Sequence, residues 1–317
     1  LPIEPEDVVC VYSDCSHAFG LNVMAAPALA AGATVLLIPE FDPKAILREM
    51  SKYGATVTGG APGYLLSLLQ EARGGTDLGK PKLRLTISSS DKAPENLHRE
   101  WPEVMGIPLL EAFGMIEACG TLFSNRPGDI SVGTVGRPLP GVRVRIVGID
   151  GRDVADGTEG ELWCAGEFLF TGYWNDPEAT RRAVVDGWFK TGDQVVRDDH
   201  GRYRIVGRTG FMIKRGGIFV SPYEVEAALA KHLAIRECLA VGAPSERWGQ
   251  EVEVFVVMHE PISPADLHRY AARVLGEPSR PARYWSVASI PRTAAGKVAR
   301  MDIHKLRAAA SLLSEHK

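Results

Sequence analysis

No apolar run in these 317 residues reaches the ~18 that a membrane-spanning helix needs. The nearest, NVMAAPALAAGATVLLIP, is broken by Pro27 and Gly32 and reads as a helix followed by a buried strand. Cysteine is scarce. The five, Cys10, Cys15, Cys119, Cys164 and Cys238, form no CxxC pair and no Cys/His cluster, which excludes a zinc framework and points to free thiols in a reducing cytoplasm. An excess of one charge is lacking too. The 36 Lys and Arg against 39 Asp and Glu leave a formal charge of −3, so no global basic field directs the chain to nucleic acid or an anionic membrane. There is no internal repeat and no low-complexity tract. The opening LPIEPEDVV has no basic n-region of a signal peptide and no Met, so an excised or processed piece is expected.

What is present is an ordinary globular mixture, 45% hydrophobic and 24% charged, on a length suited to roughly two domains of ~150 residues. From residue 33 to 113 apolar runs alternate with amphipathic ones. ATVLLIP, ATVTGG, LRLTISS and PLLEAFG read as strands. DPKAILREMSKYG, APGYLLSLLQEA and APENLHREWPEVMG read as helices, the first capped by Asp42 with Pro43 at its first position. This alternation predicts a parallel sheet covered by helices, with ligands bound beyond the carboxyl ends of the strands.

From 130 to 208 short runs such as GVRVRIVG, EGELWCAG and GRYRIVG, separated by Gly, Pro and Asp, predict a small barrel-like antiparallel part. After that a third texture of helix 221–231, two strands, helix 263–275, the strand RYWSVASI, the loop PRTAAGK and a final helix predicts an α+β domain of about 100 residues. The stretch GRTGFMIKRGGIFVSPYEVE lies at the junction, and its Gly216 and Gly217 are expected to serve that joint. The fold class is therefore α/β: a partial large domain with a parallel sheet and a barrel-like part, then an α+β domain.

Four segments in order, EAFGMIE, GELWCAGEFLFTGYWNDPEATRRAVVDGWFKTGD, GRTGFMIKRGGIFVSPYEVE and PRTAAGKVAR, resemble the signature motifs of the adenylate-forming superfamily of acyl-CoA synthetases, carrier-protein adenylation domains and luciferases. The resemblance runs through the whole chain. It implies a two-step reaction. A carboxylate attacks the α-phosphate of ATP to give an acyl-adenylate and pyrophosphate, and a thiol, usually that of coenzyme A, then displaces AMP. It also implies that residues 1–208 are the remainder of the large AMP- and acyl-binding domain, β-rich over about 130–208, and that 209–317 form a C-terminal domain that rotates between the two steps.

Residue roles follow from the same resemblance. Phe113 stacks on adenine where Tyr is more usual, with Gly114 beside it, and Glu117 helps hold magnesium. Asp193 accepts from the ribose hydroxyls, as an ionised carboxylate taking two donors can; by itself, after Thr-Gly, it would read as a turn residue. Arg208 is a second ribose or phosphate contact. Lys297 meets the substrate carboxylate and α-phosphate during adenylation. Lys214, Gly216 and Gly217 border the pantetheine tunnel, where glycine permits close approach. His17 stands at the acyl pocket's floor. Ser90 and Asp91, in SSSD where Ser-Gly-Gly-Ala is frequent, either shorten and polarise that pocket or cap the helix near Pro94.

Three departures accompany the match. Ile116 occupies the place of a Thr that touches the α-phosphate, Gly210 that of a charged hinge residue, and nothing in 1–30 resembles the Ser/Thr/Gly-rich loop ending Pro-Lys-Gly. The expectation is the C-terminal portion of an acyl-CoA synthetase, a cytoplasmic protein using ATP, magnesium, coenzyme A and a carboxylic acid, with a link to fatty acid metabolism. Association with another copy or with an N-terminal piece is expected to cover the sheet. The alternatives are a non-catalytic nucleotide- or acyl-binding relative and an adenylating enzyme with a different acceptor.

Overall fold

A computed structural model describes residues 2–74, 81–293, 297–300 and 303–315. They form two compact units. The first runs through Thr191 and takes up 196–205 and Lys297; the second holds Gly192–Val195, Val206–Thr293 and the chain from Val298. No helix among the described residues is long and apolar enough to cross a membrane.

In the first unit a seven-stranded sheet is built from β1 (Val8–Val11), β2 (Thr34–Leu37), β3 (Val57–Gly60), β4 (Leu85–Ser88), β5 (Leu109–Met115), β6 (Gly120–Ser124) and β7 (Arg137–Pro138), in the order β2-β1-β3-β4-β5-β6-β7. The first five are parallel; β6 is antiparallel to β5, and β7 to β6. Strand alternation supplies both faces. Cys10 and Tyr12 join Ile46, Leu65, Leu97 and Trp101 from helices α2 (Pro43–Lys52), α3 (Pro62–Arg73) and α4 (Glu95–Met105), while Val9 and Val11 pack with Phe19, Met24 and Ala28 on the other side. Asp42 caps α2 by accepting from the amides of Lys44 and Ala45.

The region expected to be a helix and a buried strand is a helix and then a strand, but the strand is not buried. Residues Phe19–Ala25 wind as a π-helix before α1 (Ala26–Ala30). β2 is an edge strand with Leu37 58% exposed, because the short VVCV run of β1, read over in the sequence, takes the inner place.

A curled antiparallel half-barrel follows: β8 (Arg143–Val147), β9 (Gly160–Ala165), α5 (Pro177–Ala183), β10 (Val184–Val185), β11 (Trp188–Arg197) and β12 (Tyr203–Arg208), ordered β10-β11-β9-β8 with β12 on β11. The supposed Thr-Gly turn is instead the middle of β11. Burial alternates along it at Phe189, Thr191, Asp193 and Val195, and Gly192 supplies a φ of 76° within the continuing strand.

The second unit has β13 (Ile213–Arg215), β14 (Ile218–Val220), β15 (Ile235–Ser245), β16 (Gly249–Met258), β17 (Arg283–Ser286) and β18 (Ser311–Glu315), in the order β14-β13-β16-β17-β18 with β15 also on β16. Helices α6 (Pro222–Leu229) and α7 (Pro264–Val274) pack Val225, Leu229, Leu267 and Ala271 against Val252, Val254 and Val256; α8 (Ile303–Ala308) places Leu306 with Leu239, Val241, Phe255 and Val257. Two expectations are corrected here. The final helix is followed by β18, paired antiparallel to β17. Gly216 and Gly217, at φ 57° and 85°, form the two-residue turn of the β13–β14 hairpin and are explained by that turn.

Candidate active site

The carboxyl ends of the parallel strands converge on one small depression. Ser13, Asp14, His17 and Phe19 follow β1, Ala61 and Tyr64 follow β3, and Ser90 follows β4; together they line a cavity with room for about one water molecule. The amide of Phe19 donates to Nδ1 of His17 at 3.2 Å, which leaves the ring's proton on Nε2. Burial, and next the Lys297 ammonium, push the His17 pKa down, against the opposing pull of Asp14. His17 thus lines the cavity with Nδ1 taken up as an acceptor and Nε2 left as the donor; Lys297 belongs to the same unit. Asp14 is fixed by accepting from the amide of Ser16 at 2.7 Å. Burial raises the Tyr64 hydroxyl's pKa, with the Asp14 charge adding to it.

Ser90 stands at φ 76°, a left-handed conformation that glycine adopts more readily. Asp91 is not among the cavity's lining; its Oδ1 accepts from the Lys92 amide at 2.9 Å. The helix-capping alternative for these residues is corrected, since the cap position of α4 is Pro94, with no side-chain hydrogen bond.

Beyond β5 the chain is held by a tight backbone approach. A Cβ on Gly114 would lie 1.9 Å from the Gly120 carbonyl oxygen, so only glycine fits against β6 there. Phe113 is half-buried, its ring 6.1 Å from that of Phe123. Glu117 sits in a 3₁₀ turn, where its Oε1 accepts from the Tyr173 hydroxyl at 3.0 Å and its carbonyl from the Phe170 amide at 2.8 Å. Ile116 beside it is 64% exposed. Among the described residues no three His, Cys, Asp or Glu side chains gather as a metal site. A single carboxylate such as Glu117 suits magnesium, which completes its shell with phosphate oxygens and water.

In the second unit Asp193 is buried to 7% exposure. The Arg208 Nε passes 4.0 Å from where a Cβ on Gly192 would be. Thr209 stitches the two segments together: its amide and hydroxyl both donate to the Gly192 carbonyl, at 2.8 and 3.0 Å, and it accepts from Gln194 Nε2 at 3.1 Å. Gly210 has no neighbour that a Cβ would touch. Lys214 lies over the Phe219 ring at 5.2 Å, its amide donating to Gln250 Oε1 at 2.7 Å. Trp248 covers Gly216 so closely that a Cβ there would meet the indole at 2.8 Å. Tyr64, Tyr173, Thr209 and Trp248 are the contributors that sequence reasoning passed over. Tyr173 and Thr209 fall inside the motif segments quoted above; Tyr64 and Trp248 do not.

A family model described as AMP-binding enzyme matches residues 1–174, and one described as AMP-binding enzyme C-terminal domain matches 224–297. The chain is similar to the sulfoacetate–CoA ligase of Cupriavidus necator, 34% identical over 304 residues, covering 94% of this chain and 59% of that protein. The benzoate–CoA ligase of Thauera aromatica is 32% identical over 316 residues, covering 98% and 59%. Among solved structures, ATP-bound MatB from Rhodopseudomonas palustris superposes with a TM-score of 0.88 at 31% identity, over 95% of this chain and 60% of that one. The o-succinylbenzoate coenzyme A synthetase of Bacillus subtilis, with ATP and magnesium ion, gives 0.83 at 26% identity, over 97% and 62%. The chain thus spans about three-fifths of the length of these relatives. With more than half its residues inside the first family model, and most of α6 through β17 of the small α+β unit inside the second, it belongs to the AMP-binding enzymes of the adenylate-forming superfamily.

Proposed function

We propose that this chain supplies nucleotide- and acyl-binding parts and the mobile C-terminal domain, from about residue 209, of an acid–thiol ligase of the acyl-CoA synthetase type. The observation that carries this reading is the match of residues 1–174 and 224–297 to the two AMP-binding models, with the polar cavity that His17 and Ser90 line at the carboxyl ends of the strands. A lysine that meets a substrate carboxylate belongs beside the acyl pocket, and its ammonium there opposes the charge that develops on the α-phosphate. In this reading Phe113 and Gly114 take the adenine, and buried Asp193 accepts from the ribose hydroxyls with Arg208 alongside. Glu117, oriented by Tyr173, would hold magnesium, which when bound neutralises phosphate charge. Lys214, Gly216 and Gly217 border the coenzyme A thiol's approach. His17 donates from Nε2 and Ser90 narrows and polarises the pocket, while Asp91 acts from its rim. A short or polar acyl group fits such a lining better than a long aliphatic one.

A second reading rests on Ile116. Exposed beside Glu117, it offers no hydroxyl to an α-phosphate, which favours a relative that binds a nucleotide without adenylating. Pyrophosphate exchange by the full-length gene product separates the two: carboxylate-dependent exchange supports the ligase, and AMP binding by calorimetry without exchange supports the binder. In either case Asp193→Asn should weaken AMP by about tenfold or more, the worth of a hydrogen bond to a charged group. Unchanged affinity would remove Asp193 from the nucleotide site.

A further inference from the structure

The segment carrying Lys297 is closed at its base within the second unit. The Ala299 amide donates to the Pro291 carbonyl at 2.9 Å, Arg292 and Val298 form an antiparallel bridge, and the Arg300 amide donates to the Val298 carbonyl at 3.0 Å. Two ion pairs hold that base. Arg292 pairs with Glu237. Arg300, with its side chain only 8% exposed, grips Glu226 with both forks, Nη1 to Oε1 and Nη2 to Oε2, each at 2.8 Å. Its Nη1 also reaches the Ala240 carbonyl at 3.3 Å, and its guanidinium lies over the Tyr223 ring at 4.5 Å. Glu226 in turn accepts from the Ala240 amide at 2.8 Å. The anchor is therefore tied to α6 and β15 at once.

We infer that Glu226 and Arg300 are positioning residues for adenylate formation, fixing through this clamp where the Lys297 ammonium can stand. The inference rests on the role proposed above for Lys297. Stability alone is a weak reason for such a pair, because burying a guanidinium and a carboxylate costs desolvation that a well-packed apolar pair avoids. Position is a better one. Three residues of extended chain span at most about 10 Å, so an anchor at Arg300 bounds the reach of Lys297. The lysine stem is flexible, and a displacement of roughly 1 Å at a reacting centre can cost about a hundredfold in rate. The bidentate planar fork also explains why arginine serves here and lysine would not.

The test uses Glu226→Gln and Arg300→Lys in the full-length gene product, read in both half-reactions. Carboxylate-dependent pyrophosphate exchange should fall by about ten- to a hundredfold, while thioester formation from a supplied acyl-adenylate stays within about threefold of wild type. On a Lys297→Ala background neither variant should lower exchange further, since the clamp acts only through that ammonium. Equal loss of both half-reactions, unchanged exchange, or an additional loss on the Lys297→Ala background would each overturn the inference. Should both variants unfold, Arg292→Lys, which loosens the more exposed pair, carries the same expectation and the same refutations. If Lys297→Ala itself leaves exchange unchanged, it is the proposed function that fails, and the clamp with it.

Discussion

Asp7 joins the beginnings of three neighbouring parallel strands. It precedes β1, accepts from the Thr56 hydroxyl ahead of β3 at 2.7 Å and from Arg84 Nε ahead of β4 at 2.7 Å, and takes the Glu4 amide at 2.8 Å. The Arg84 hydrogen bond, working against burial, holds its carboxyl at about 2, below the ordinary 3.8. A folded value below the unfolded one means stability that is complete at neutral pH and lost as pH falls through the folded value. The difference corresponds to about 2 kcal/mol, roughly half of it gone by about pH 3. Arg84 keeps 36% of its side chain exposed, and the screening this allows brings the expected loss in Asp7→Asn to about 1.5 kcal/mol. Hydrogen exchange by mass spectrometry on peptides covering 8–11, 57–60 and 85–88 reads this directly. Protection at pH 7 should drop about tenfold in the variant, and the part of the acid dependence below pH 5 owed to this carboxylate should vanish. A drop under about twofold, or an acid dependence identical in the two proteins, would refute the reasoning.

Two further outcomes are expected. Ser90→Gly relieves a left-handed serine and should stabilise the protein by about 1 kcal/mol, a rise of roughly 2–4 °C in Tm by calorimetry; a fall would mean that the hydroxyl holds something the backbone strain serves. Lys297→Gln removes a positive neighbour of His17, so the imidazole should titrate at a higher pH by NMR, and an unmoved value would place the ammonium elsewhere.

The parallel sheet was legible because its inner strands are short unbroken apolar runs between amphipathic helices, and buried parallel strands carry that pattern. β1 was not, since four residues beside a Pro-Glu-Asp stretch resemble the end of a loop. β18 was hidden in the same way, behind an Ala-rich helix end. The order of the four motifs identified the family, yet the setting of Asp193 escaped. Thr-Gly before an Asp reads as a turn, and Gly192 does take a turn-like φ, but hydrogen bonding to neighbours distant in sequence carries the strand through it. The link from Tyr173 to Glu117 spans 56 positions and was not accessible to any local pattern.

The strand β11 is divided between the two units: Trp188–Thr191 and 196–197 belong to the first, and Gly192–Val195 to the second. Anyone dissecting the gene meets this directly. A coding sequence begun at Val206 to express the small unit alone would leave Asp193 behind, together with the Gly192 carbonyl that Thr209 grips. A fragment begun there loses both hydrogen bonds that Thr209 makes to the Gly192 carbonyl, and one begun upstream of Trp188 keeps them.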